Sequence, residues 1–171
     1  GDVWRLALPT GTSLLAGGQK LDRPIVWARC MSPRPPAFAS LESDELALLA
    51  VDALSFLDER LTLARVIEAL AQRTAAALAV VGEVSDEAVV AARQYDVPLF
   101  QLPPDSDLRD VERDVIRLIV QREAQIDRRG REIYVQLAHL AIRGGGLQAI
   151  ANTLAKVTGK PIAIDEWWHD I

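Results

Sequence analysis

Between Thr62 and Pro104 the hydrophobic pattern switches repeatedly between helical and strand spacing, and this alternation restricts the fold more than any other feature of the chain. Leu63, Val66, Ile67 and Leu70 recur on one helical face over 63–73, with Thr62 placed to cap the helix. Ala77 to Val81 (ALAVV) is a continuous apolar run of strand length that stops at Gly82. Ser85-Asp86 opens a second helix, with Val89, Ala92 and Arg93 at helical spacing, and Tyr95-Asp96 closes it. Val97 to Leu102 is a further strand, stopped by Pro103-Pro104. Short buried strands separated by amphipathic helices require parallel pairing, because a parallel neighbour is reached only by a crossover. Residues 1–105 are therefore expected to form an α/β domain: a mostly parallel sheet with flanking helices on both faces.

The residues ahead of this pattern are less decisive. Residues 3–8 (VWRLAL), ended by Pro9, fit either a short helix or a strand. Thr12–Ala16 reads as a strand closed by a turn at Gly17-Gly18, and Leu21–Pro24 reads as a second turn. Ile25–Met31 follows as a strand, with Ile25, Trp27 and Arg29 on one face. Pro33, Pro35 and Pro36 then impose a loop. Glu45–Val51 has strand length, although its Ala and Leu content also permits a helix.

After the sheet pattern, residues 106–143 read as one long charged helix. Val111, Val115, Leu118 and Ile119 give its first part an apolar stripe able to pack on the domain, whereas 121–132 is nearly all polar. Ile119, Ile126, Ile133 and Leu140 recur at heptad spacing, which is half of a coiled-coil seam. Arg122, Arg129 and Gln136 occupy the other half, and Gly130 costs about 1 kcal/mol relative to Ala. Two readings stand: a solvated linker, and a dimerisation helix paired with its copy. Gly144-Gly145-Gly146 ends the helix in a left-handed turn, and a helix over 147–158 with a strand over 161–165 begins an α/β unit too small to fold alone. Residues 144–171 are thus expected to be the truncated start of a second α/β domain in a longer protein.

The chemistry-bearing residues are sparse. The net charge of −5 argues against nucleic-acid binding by this segment. The one cysteine, Cys30, permits no intrachain disulfide, reads as a small buried thiol in mid-strand, and fits a cytoplasmic setting. No apolar run is long enough to span a bilayer. His139 and His169 have no nucleophile or metal-ligand cluster around them in sequence, and no Ser stands in a nucleophile elbow. The triple glycine and Thr158-Gly159-Lys160-Pro161 do not make a phosphate loop. No catalytic residue, metal or cofactor is expected. Glu42, Asp44 and Glu45, with Asp22 and Arg23 on the preceding turn, are the candidates for a polar ligand cleft, or else a solvated loop. Trp167-Trp168 reads as a stacking surface or as core of the second domain.

Three runs, in order along the chain, resemble one family. LLAGGQKLDRPIVWARCMS (14–32) resembles the opening of the purine-catabolism-regulator-like domain of PucR-type bacterial transcriptional regulators, with its glycine turn, Leu-Asp-Arg-Pro turn and strand tryptophan at Asp22, Arg23, Pro24 and Trp27. DVPLFQLP (96–103) is similar to that family's Leu-Pro-Leu-hydrophobic-x-Leu-Pro strand, and 144–166 resembles the start of its GAF-like middle domain. The resemblance implies an N-terminal ligand-sensing domain, a helical connection, a GAF-like domain and a DNA-binding helix-turn-helix beyond this chain. It further implies regulation of catabolic genes; with the heptad helix and the single cysteine, the expectation is a cytoplasmic homodimer whose effector is a purine catabolite or an amino-acid-like metabolite. Where the family has a Gly-Gly-Glu-Leu-hydrophobic-Leu-Thr-Thr-Gly strand and turn, this chain has Ser43–Val51 (SDELALLAV), which is less able to hold a polar ligand. A small α/β enzyme acting on a nucleotide-like metabolite and a pure oligomerisation module remain the alternatives.

Overall fold

The computed structural model describes residues 3–32, 41–58 and 60–163. It divides into two compact units, residues 1–121 and 122–171.

The first unit is a five-stranded sheet. A short helix, α1 (Val3–Ala7), leads to β1 (Ser13–Ala16) and a single 3-10 turn at Gly18–Lys20. Then follow β2 (Trp27–Cys30), β3 (Glu45–Ala50), the helices α2 (Ala53–Leu57) and α3 (Leu63–Gln72), β4 (Ala77–Val81), α4 (Asp86–Gln94), β5 (Leu99–Gln101) and the long helix α5 (Leu108–Ile142). The spatial order is β1-β5-β4-β3-β2. β2 to β5 are mutually parallel, and β1 closes one edge antiparallel to β5.

The layers follow from the winding. The connections β3→β4 and β4→β5 step across the sheet in the same direction, and right-handed crossovers then put their helices on the same face. There Leu63, Val66, Ile67 and Leu70 of α3 and Ala88 and Ala92 of α4 pack on Ala47, Leu49, Leu78, Val80 and Leu99. The opposite face, carrying Ala28, Leu46, Leu48, Ala77, Ala79 and Phe100, is covered by Val111, Val115 and Ile119 of α5 together with Leu8. Strands covered on both faces become continuous apolar runs, which is why Glu45–Ala50 is a strand despite its helix-favouring Ala and Leu. Thr62 Oγ1 accepts from Arg65 N–H and Ser85 Oγ from Ala88 N–H, so both expected caps form.

Several expectations change. Residues 3–7 take the helical of the two readings left open, and α2 was not foreseen. Ile25 lies ahead of β2 and joins the α5-side cluster, so it does not share a face with Trp27 and Arg29. In α4 the buried pair is Ala88 and Ala92, while Arg93 is exposed. Cys30 ends its strand and is half-buried rather than enclosed in mid-strand. The apolar stripe on the first turns of α5 does pack on the domain, where Val111, Val115 and Ile119 supply part of the sheet's core.

The second unit holds the rest of α5 and α6 (Gly146–Thr158). Gly144 and Gly146 adopt left-handed φ values of 70° and 66°, as expected of the glycine break. Ala151 is the buried residue of α6. Residues 161–163 form no strand, and 164–165, Trp167-Trp168 and His169 lie outside the described residues, as does the proline loop at 33–36.

Candidate functional site

The predicted polar residues gather where β2 and β3 begin and where the chain turns into β4. Arg23 donates from Nε to Asp44 Oδ1 at 2.5 Å and from a terminal nitrogen to Ala75 O at 3.4 Å. The Asp44 N–H reaches Thr74 O at 3.1 Å, and Val26 N–H reaches Asp44 O at 3.0 Å. Thr74 Oγ1 donates to Ser43 Oγ at 2.8 Å. Asp44 and Thr74 both sit at positive φ, 64° and 56°. An Asp tolerates that region, but for a β-branched Thr it is an outlier that the surroundings must enforce. Arg23, the arginine of the Leu-Asp-Arg-Pro turn, thus ties three chain segments together beside two residues of positive φ.

Beside it stands a second pair. The strand register sets Trp27 opposite Glu45 and Arg29 opposite Ala47, so these side chains share one face. Arg29 donates to both oxygens of Glu45, each at 2.9 Å, in the two-pronged geometry that a guanidinium allows. Glu45 is only 4% exposed and also accepts the Glu42 N–H at 3.1 Å. The Arg29 bonds hold the Glu45 carboxyl below its ordinary range, the Glu42 N–H adds to this, and burial opposes it. Glu45 in turn raises the Arg29 guanidinium. Of the predicted ligand residues, then, Arg23 and Asp44 meet each other, Glu45 is held by Arg29, and Asp22 and Glu42 are exposed. Arg29 was not foreseen as Glu45's partner. Its alternation with Trp27 was the available signal, but only strand order and register could name the carboxylate.

The remaining candidates have structural roles. Burial, reinforced by Glu112, pushes the Cys30 thiol up to about 12, so it is not a thiolate nucleophile near neutral pH. Gln101 Nε2 donates to Gly82 O at 2.9 Å and ties the far ends of β4 and β5. A shallow groove of about 500 Å³ runs between α1 and the start of α5, but Asp107 on its rim caps α5 and Asp110 pairs with Arg113. No group of three His, Cys, Asp or Glu residues among the described residues could hold a metal ion. No described helix is long and apolar enough to cross a membrane. On the long helix, Ile119 is 7% exposed in the sheet cluster, Ile126 is 70% exposed, and Ile133 and Leu140 are intermediate.

The first two motif runs read in sequence converge in space. β1, from the first run, pairs with β5, from the second, through Leu14↔Phe100 and Ala16↔Leu99. Gly17 adopts φ 75°, and a Cβ there would lie 2.5 Å from Pro98 N, so only glycine fits between the two motifs. Lys20 and Asp96 close the junction with an ion pair at 3.1 Å. No curated protein matches the chain. The family model for the Purine catabolism regulatory protein-like family matches residues 2–119, which span the whole sheet and the buried turns of α5. The match, and the meeting of the two motifs around Gly17, show that the chain belongs to the purine catabolism regulatory protein-like family.

Proposed function

We propose that this chain is the N-terminal sensory and dimerisation segment of a cytoplasmic transcription regulator of catabolic genes. The observation that carries the reading is the family match over 2–119, which falls on a compact α/β unit with its own core. In this reading residues 122–143 are a connecting and dimerising helix, and 144–171 begin a GAF-like middle domain. DNA is contacted through a helix-turn-helix carried elsewhere in the protein.

The effector is a small polar metabolite that meets Asp22, Arg23, Asp44 and Glu45. The Arg23–Asp44 pair supports this, because its side chains are 28% and 33% exposed and within reach of a ligand. A zwitterion of the amino-acid type would offer a carboxylate to Arg23 and an ammonium to Asp44, while the Arg29–Glu45 pair stays as the fixed wall. A purine catabolite with both donor and acceptor edges meets the same requirement. Such a ligand acts only if it favours one of two arrangements of the unit, since equal affinity shifts nothing. Ile126, Ile133 and Leu140 form the self-association seam, with Ile126 its most exposed member, while Ile119 is buried on the sheet.

A thermal-shift panel of amino acids and purine catabolites tests the sensing claim. Binding at a hundred times the dissociation constant adds about 2.7 kcal/mol, a readily measured rise in Tm. The rise should vanish in Arg23→Ala relative to that variant's own baseline. A panel in which no compound raises Tm sinks the polar-effector reading and leaves the oligomerisation module.

A further inference from the structure

We propose that Glu112 is a clasp that seats the first turns of α5 on the free edge of the sheet, so that movement at the end of β2 passes directly into the helix. β2 has β3 on one side and, among the described residues, no strand on the other. An edge strand exposes alternate N–H groups that need some other partner. The Cys30 N–H finds it in Glu112 Oε1 at 2.8 Å. The next N–H along, that of Met31, returns to the sheet at Leu48 O, 2.8 Å away. The Cys30 thiol donates to Leu108 O at 3.3 Å. Leu108 and Glu112 lie one turn apart on the same helix flank, so one strand residue fastens a full turn of α5.

These bonds do what the neighbouring apolar contacts do not. Val111, Val115 and Ile119 hold the helix against the sheet. Apolar packing is non-directional, and packed helices accommodate change by small sliding motions. A charge-assisted bond with a narrow geometric range sets the axial position instead. The raised thiol keeps its proton and remains a donor across the physiological range. Glu112 is therefore a positioning residue, and the clasp stands whether or not an effector binds.

Amide hydrogen exchange on the full chain tests it, with Ala79 in the central strand β4 reporting global opening. Glu112→Ala should speed exchange at Cys30 about ten-fold relative to Ala79. The amides of Val115 and Ile119 should accelerate with it. Glu112→Gln, which keeps a carbonyl acceptor, should restore most of the protection. Unchanged exchange at Cys30 relative to Ala79 overturns the clasp. Acceleration at Cys30 with Val115 and Ile119 unmoved overturns the coupling.

Discussion

The two ends of α5 have the same kind of sequence and opposite surroundings. In its first turns Val111, Val115 and Ile119 are buried on the sheet. Farther along, Ile126, Tyr134, Val135 and Ile142 are exposed, with Ile142 at 83%. In the first unit none of the described buried side-chain polar atoms lacks a partner, and Asp44 and Glu45 are answered by Arg23 and Arg29 from other segments. The second unit leaves large apolar side chains in solvent. The difference teaches where interaction energy remains. Apolar area removed from water is worth roughly 25 cal/mol per Å²; the first unit has realised it across both faces of its sheet, although Leu6, Phe56 and Val90 stay exposed, whereas among the described residues of the second unit Ala151 alone is buried.

Three substitutions sharpen this contrast. The largest effect is expected at Gly17→Ala, which combines a left-handed φ with a Cβ 2.5 Å from Pro98 N. It should destabilise the first unit by about 3 kcal/mol in chemical denaturation, because backbone atoms on both sides must move. A loss below about 1 kcal/mol would show that the junction of the two motifs is loose.

Arg29→Ala comes next. It strands a Glu45 carboxylate that is almost wholly buried, at a cost of about 2 kcal/mol near neutral pH. Because Glu45 titrates below its unfolded value, the pair's contribution is full above the ordinary carboxylate value of about 4.3 and is lost as pH falls through the lower folded value. The wild-type and Arg29→Ala stability curves should therefore converge on acidification. Parallel curves down to strongly acid pH would break the assignment.

The smallest effect, of opposite sign, is expected at Gly130→Ala. Nothing lies within 4 Å of a Cβ at Gly130, so the change should add about 1 kcal/mol to helix formation. Circular dichroism of the helix signal on heating would register it. A loss of helicity would mean that Gly130 has a close neighbour in solution.

Local features were legible in the sequence, and partnerships were not. The buried face of α3 and the Thr62 and Ser85 caps follow from spacing within a few residues, so periodicity named them correctly. Glu45–Ala50 stayed ambiguous because a run buried on both faces has no period, and only its place between β2 and β4 decides it. Arg29–Glu45 and Glu112–Cys30 join residues brought together by strand order. Nothing in Thr74's sequence context announces a positive φ; it follows from the bonds it makes to Ser43 and Asp44. The stripe on the first turns of α5 was visible and read as able to pack on the domain, but which sheet face it covers, that of Ala28, Leu46 and Phe100, was not.

Those buried turns fix where the chain can be cut. Ending the chain near Pro104 would strip Val111, Val115 and Ile119 from the sheet, so the informative cut is after Gln121. Mass in solution for residues 1–171, for 1–121 and for Ile126→Asp in the longer chain addresses the central claim that association resides beyond the sheet unit. Residues 1–171 should form a dimer, and the other two should be folded monomers. A monomeric 1–171, or a dimer that survives both changes, would contradict it.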